Sequence, residues 1–172
     1  MASKIEHVFV YGTLLPGDVR FPMMRPFVVD DGWADTVRGR LFDTGLDYPA
    51  LVLDDTDTDI GGETLGAAGS SGVATPQTAT APLVIGRTFT LLAATIDEAL
   101  DVLDEVEGVV GGRYRRVAVT TATGVAAWAY EYGGDLELTW IESGDWLRHR
   151  PPDRARPLAP PAAEPADERS TR

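Results

Sequence analysis

The chain contains no cysteine. That excludes disulfide frameworks, thiolate zinc sites and cysteine nucleophiles together. Histidine is nearly as scarce, with only His7 and His149, which leaves little material for a histidine-built metal site or a Ser-His-Asp triad. Neither a metal nor a cofactor is expected. Positive charge is short as well: 15 Lys and Arg stand against 27 Asp and Glu, a net charge of −12. Such a surface repels phosphate backbones and anionic headgroups, which argues against nucleic acid and membranes as partners. No apolar run approaches the roughly 20 residues of a membrane span. The segment Met1-Ala2-Ser3-Lys4-Ile5-Glu6 lacks the apolar stretch of a signal peptide. A soluble, cytoplasmic protein is the expectation; oligomeric state is not legible.

What is present suits one globular domain. The chain has 172 residues, 44% of them hydrophobic, enough for a core. Residues 1–150 read as that domain. His7 to Tyr11 predicts a short buried strand ended by Gly12, Phe27 to Val29 a short extended piece, and Val37 to Phe42 another strand before a turn at Thr44-Gly45. Leu83 to Leu92, Tyr114 to Thr120 and Ala126 to Tyr132 predict further strands, the last two joined near Thr123-Gly124. Residues 54–82 are acidic, then rich in Gly, Ser, Thr and Ala, and predict a flexible polar insertion. Residues 151–172 hold six of the twelve prolines and predict a disordered Pro/Ala-rich tail. The order of elements points to an α+β fold with a mixed sheet or small barrel.

Thr95 to Glu107 predicts a helix, with Thr95 and Glu98 spaced as a capping box and Gly108 as the stop. At about 100° per residue, Ile96, Ala99, Leu100, Leu103 and Val106 form one apolar stripe. Asp97, Glu98, Asp101, Asp104 and Glu105 occupy the other face. Glu107 does not: it falls inside the apolar stripe, at the last turn. Burial and the negative end of the helix dipole would both raise its pKa. A glutamate tuned toward neutrality suits general acid–base catalysis. Two bland alternatives stand beside this one. The helix could fray and turn Glu107 to solvent, or Glu107 could pair with Arg113, Arg115 or Arg116.

The second candidate feature is Tyr11-Gly12-Thr13-Leu14. Glycine directly after a buried strand permits a sharp turn and close approach of a ligand. Successive N–H groups there can converge on an anion or a carbonyl oxygen. Taken alone, strand-then-glycine is more often a plain turn.

The run Val-Phe-Val-Tyr-Gly-Thr-Leu at 8–14, followed by Leu103-Asp104-Glu105-Val106-Glu107-Gly108 and by Tyr114-Arg115-Arg116-Val117-Ala118-Val119, resembles the γ-glutamylcyclotransferase-like family, including its avirulence-induced-gene-type members. Gly39-Arg40-Leu41-Phe42, Tyr48-Pro49-Ala50 and Ala126-Trp128-Tyr130 resemble the intervening and closing segments. The resemblance spans roughly residues 7 to 132. The 54–82 stretch departs from it, as does Gly86-Arg87 where Gly-Glu is common.

The resemblance implies a small mixed β-barrel with flanking helices. It implies release of 5-oxoproline from a γ-glutamyl amide or peptide by intramolecular aminolysis. It assigns Glu107 as proton acceptor and donor, Tyr11, Gly12, Thr13 and Leu14 as the substrate cradle, Tyr114 as a hydroxyl that contacts the substrate or stands behind those that do, and Tyr130 as a further substrate-binding residue, with a barrel-wall aromatic as its alternative. Other readings are release of a γ-glutamyl group from a specialised metabolite, a non-catalytic small-molecule-binding module with the same cavity, and an interaction protein acting through the acidic loop and tail.

Overall fold

The computed structural model describes residues 4–54, 81–109, 111–135 and 137–150. The expected insertion, apart from Asp54, Ala81 and Pro82, and the expected tail lie outside the described residues. Along the chain run β1 (His7–Val10), α1 (Phe21–Met24), a single 3-10 turn at Arg25–Phe27, β2 (Trp33–Arg38), β3 (Arg40–Asp43), β4 (Pro49–Val52) and β5 (Leu83–Thr90). Then follow a 3-10 turn at Ala93–Thr95, α2 (Ile96–Glu107), β6 (Tyr114–Thr120), β7 (Ala126–Tyr132), β8 (Thr139–Trp140) and α3 (Trp146–His149). The strands form a five-stranded sheet in the order β2-β5-β1-β7-β6 and a three-stranded sheet in the order β4-β3-β8. The α+β class is as expected. The hydrogen bonds of the described strands group into two sheets rather than one closed ring.

β1 lies at the centre because its residues are apolar on both faces. It runs antiparallel to β5, with Val8 opposite Phe89, and parallel to β7, with Val8 opposite Trp128. Successive side chains point to opposite faces, and the core divides accordingly. Val8 and Val10 join Leu14, Met24, Phe89, Ala99, Leu100 and Leu103 beneath α2. Phe9 and Tyr11 join Val37, Leu41, Leu51, Val84 and Trp146 toward the smaller sheet and α3. The helix stripe is confirmed: Ile96, Ala99, Leu100 and Leu103 are its buried residues.

Three local expectations change. The strand expected at Val37 to Phe42 is two strands, because Gly39 carries the chain from one sheet to the other. A Cβ at Gly39 would lie 2.8 Å from the Val52 carbonyl oxygen, so no larger residue fits the crossing. The extended piece expected at Phe27 to Val29 is reduced to one bridge between Val28 and Leu91. Pro26, with φ fixed and no N–H, favours the tight turn before it. The capping box does not form. Thr95 caps no helix N–H; its hydroxyl instead points back to the Leu92 carbonyl at 3.5 Å, because a 3-10 turn already leads into the helix.

At the far end of the large sheet, Asp35 is 5% exposed. Its Oδ2 accepts from the Thr88 hydroxyl at 2.9 Å and the Thr123 hydroxyl at 2.7 Å. Its Oδ1 accepts the Thr36 N–H at 2.9 Å. Burial pushes its pKa up, but the hydrogen bonds outweigh burial and hold it below the usual Asp range. Asp35→Ala strands these donors, and in urea unfolding should cost about 3 kcal/mol at neutral pH. A group with a depressed folded pKa stabilises above its unfolded pKa and ceases to as pH falls. The gap between wild type and variant should therefore narrow as the pH drops below about 4.

Candidate active site

The C-terminal end of β1 opens into a cleft lined by Phe9, Val10, Tyr11, Gly12, Thr13, Leu14, Tyr48, Pro49, Glu107, Tyr114 and Tyr130. All seven residues proposed from the sequence stand on its wall. They arrive from four places: the turn after β1, the last residue of α2, the first residue of β6, and the middle of β7.

Glu107 reaches the cleft because α2 keeps its helical course to the end. Gly108 then stops it at φ 71°, ψ 38°, a left-handed conformation that glycine adopts without a Cβ penalty. The Gly108 N–H turns back to the Asp104 and Glu105 carbonyls, and the Val109 N–H donates to the Asp104 carbonyl at 2.9 Å. The helix does not fray, and the Glu107 side chain is 12% exposed. Arg20, beside it, was not among the partners considered from sequence; Arg113, which was, acts on it through its charge. Arg20 Nη1 stands 3.9 Å from Glu107 Oε2, too far for a hydrogen bond. Arg115 pairs with Glu131 and Arg116 with Asp104. Burial raises the pKa of Glu107 to about 7, opposed by the charges of Arg20 and Arg113.

The turn after β1 folds tightly. Leu15 N–H donates to the Gly12 carbonyl, Asp18 N–H to the Leu15 carbonyl and Arg20 N–H to the Thr13 carbonyl, each at 3.0 Å. These bonds are donated by residues 15, 18 and 20, so the turn closes without drawing on the N–H groups of Gly12, Thr13 and Leu14. Gly12 is required for a different reason than expected. A Cβ there would lie 2.7 Å from Pro49 Cγ. The glycine thus lets β1 and β4 approach across the cleft wall, and no left-handed backbone is involved.

Three tyrosines complete the wall, each with its hydroxyl committed. Tyr11 donates to the Tyr130 carbonyl at 2.6 Å, Tyr114 to the Pro49 carbonyl at 2.6 Å, and Tyr130 to Asp104 Oδ1 at 2.7 Å. Burial is the largest influence on all three and pushes their pKa values up. They are neutral donors and none is a base. Asp104, placed on the solvent face by the helix wheel, is drawn inward by Tyr130 and by Arg116, whose Nη1 lies 3.1 Å from its Oδ2.

Sequence reasoning missed Arg20 and did not single out Tyr48 and Pro49 as cleft residues. Tyr48 and Pro49 had appeared only within a segment of the resemblance, and Arg113 only as a pairing alternative. The signal for Arg20 was absent from the chain's patterning, since its place depends on the fold of the 12–20 turn. Among the described residues, no three His, Asp or Glu side chains converge as metal ligands. Among them also, no helix is long and apolar enough to cross a membrane.

A family model described as "Gamma-glutamyl cyclotransferase, AIG2-like" matches residues 8–73 and 71–148. No curated protein matches the sequence. Among solved structures, the chain is similar to an uncharacterized protein from Pyrococcus horikoshii at 19% identity and a TM-score of 0.53, covering 84% of this chain and 92% of that one. It is similar to a uropathogenic E. coli-specific protein at 17% identity and 0.52, covering 85% and 95%. YkqA from Bacillus subtilis matches at 19% identity and 0.51, covering 85% of this chain and 41% of its own. At these identities the likeness is one of fold.

The Glu107 environment makes a prediction independent of any activity. The unfolded carboxyl titrates near 4.5 and the folded one at about 7. Between these values the folded state holds a proton that the unfolded state has released. Stability from this group is therefore present at low pH and lost as pH rises through the window. Glu107→Gln should match wild type near pH 4 and exceed it by about 3 kcal/mol at pH 8. Denaturant unfolding at the two pH values measures this; a pH-independent difference would contradict the burial described.

Proposed function

The chain belongs to the gamma-glutamyl cyclotransferase, AIG2-like family, and from that premise we propose that it cyclises a γ-glutamyl amide or peptide, releasing 5-oxoproline and an amine or amino acid. The observation that carries the reading is one carboxyl group with a pKa of about 7, buried in a cleft opposite a turn whose own bonds leave three successive N–H groups free of its closure.

The chemistry needs little else. The substrate's α-amine attacks its own γ-carbonyl as the free base. As the new C–N bond closes the lactam ring the attacking nitrogen becomes positively charged, and ionised Glu107 takes one of its two protons. The carbonyl oxygen gains charge in the tetrahedral intermediate, and on this reading the N–H groups of residues 12–14 meet either that oxygen or the glutamyl carboxylate. The intermediate collapses by breaking the bond to the leaving nitrogen, which receives the proton from Glu107. The carboxylate is regenerated and the protons balance. Folding the substrate so that amine and carbonyl meet supplies much of the acceleration. Gly12, Thr13 and Leu14 form the cradle. Tyr11, Tyr114 and Tyr130 keep the walls in place through hydroxyls bonded within the protein, and their rings face the ligand.

Incubation with a panel of γ-glutamyl compounds, followed by measurement of 5-oxoproline, tests the proposal. Glu107→Gln should reduce kcat/KM by at least about 100-fold. Since the base must be ionised, kcat/KM of wild type should rise with pH through about 7, following the Glu107 carboxyl. Ligand binding with no 5-oxoproline from either protein would favour the binding-module reading.

A further inference from the structure

Asp18 is almost fully buried, and the reaction as written gives it nothing to do. It stands in the second half of the turn after β1. The first half of that turn is held by apolar burial, since Leu14 and Leu15 join the core beneath α2. The second half carries little apolar burial: Pro16, Gly17 and Val19 are exposed and Arg20 is half-buried. Its backbone bonds close on the turn itself, from the Asp18 N–H to Leu15, the Arg20 N–H to Thr13 and the Phe21 N–H to Asp18. The tie to the rest of the fold is the Asp18 carboxylate. One oxygen accepts the Val19 N–H at 2.7 Å. The other pairs with Arg150 Nη1.

Arg150 stands 132 residues further along the chain, immediately after α3, and that segment is anchored at several points. Trp146 joins the core that holds Phe9 and Tyr11. The Gly144 carbonyl accepts the Ile85 N–H at 2.8 Å, and His149 Nε2 lies 2.8 Å from Asp43 Oδ2 on β3. Asp145 caps α3 by accepting the Arg148 N–H at 3.3 Å. Arg150 therefore carries its charge on an anchored segment to a turn that lacks anchors of its own. The pair is largely out of water, with the Arg150 side chain 13% exposed and that of Asp18 3%, and a guanidinium so placed directs a carboxylate more firmly than a surface lysine would. The effect reaches the cleft through Arg20, two residues past Asp18, whose Nη1 stands 3.9 Å from Glu107 Oε2.

Resting on the cyclotransferase reading, we propose that Arg150 is a positioning residue: through Asp18 it fixes the second half of the turn, and so the place of Arg20 beside Glu107, without itself entering the cleft. Glu107 is faced by Arg20 from this turn and by Arg113 from the connection between α2 and β6. Tyr11, Tyr114 and Tyr130 face it from the turn after β1, from β6 and from β7. Of the two cations, Arg20 opposes its burial the more strongly. Without the tie to Arg150, Arg20 draws away, and a glutamate with less positive charge beside it ionises at higher pH.

In Arg150→Gln, the rise of kcat/KM with pH should lie about half a pH unit higher than in wild type; the substrate's own amine titrates alike in both assays. Arg150→Lys, which keeps the charge, should restore most of the wild-type profile. Arg20→Gln should move the profile in the same direction, and adding Arg150→Gln to it should move the profile no further, because the route runs through Arg20. A variant that loses stability yet keeps the wild-type profile would overturn the proposal, and so would additive shifts. If Arg150→Gln does not fold, Asp18→Asn, which can still accept the Val19 N–H, carries the same expectations. Stability gives a readout that needs no turnover. The gap between Glu107→Gln and its parent at pH 8 should be wider in an Arg150→Gln background than in wild type, since it grows with the pKa of the Glu107 carboxyl. If no γ-glutamyl compound yields 5-oxoproline, the cyclotransferase reading has failed and this gap alone decides the role of Arg150; an unchanged gap would overturn it.

Discussion

Glu107 ends its helix with its carboxyl group facing a cleft instead of water, and removing a carboxylate from water costs several kcal/mol unless something compensates. The compensation here is partial. Arg20 lies near enough for its charge to be felt but too far to form a hydrogen bond, and Arg113 acts through space. The group is left poised, neither locked as an anion nor forced to remain protonated. Local details serve that outcome. Gly108 stops the helix one residue later, so that Glu107 keeps a helical backbone and a fixed direction. The 12–20 turn folds back on itself and delivers Arg20 to the same place.

A cleft assembled from four segments needs its walls tied together, and the three buried phenols do this. Tyr11 ties the turn after β1 to β7, Tyr114 ties β6 to β4, and Tyr130 ties β7 to α2. Each bond joins residues distant in the chain, and each uses a donor that would be costly to leave unpaired. Gly12 contributes by its small size, letting Pro49 close on the turn. The hydroxyls of these tyrosines are therefore structural, while the residues themselves line the cleft.

The sequence disclosed more of the site than of the fold's detail, for physical reasons. Glu107 was visible because a helix has a strict period, and a charged residue breaking the apolar stripe is a local signal. The central strand was visible because Val8, Phe9 and Val10 are apolar on both faces. The division of Val37 to Phe42 into two strands was not, since β propensity runs through it unbroken and only the approach of Val52 to Gly39 shows why the chain must turn. Arg20 was not visible either, because residues 15 to 20 have no periodicity and its position rests on a bond back to Thr13. The Thr95 and Glu98 spacing misled: a capping box needs an extended residue at the cap, and Thr95 has ψ 17° at the end of a 3-10 turn.

Asp104 and Glu107 lie three residues apart on the same helix, and the difference between them shows how one acid becomes available for chemistry. Asp104 sits at the boundary of the apolar stripe, where β7 brings the Tyr130 hydroxyl and β6 brings Arg116. Arg116 is itself laid over the Trp128 ring, its Cζ 5.2 Å from the centroid. A carboxylate with a donor on one oxygen and a guanidinium beside the other has its capacity taken up, and it serves to hold the helix against the sheet. Glu107 is one turn further on, past the point where β6 and β7 can reach it with such partners. What faces it across the cleft is the turn after β1, which holds Arg20 at 3.9 Å from its carboxyl. The sheet therefore satisfies the first acid and leaves the second without such partners, facing the turn across the cleft in which the proposed reaction is set.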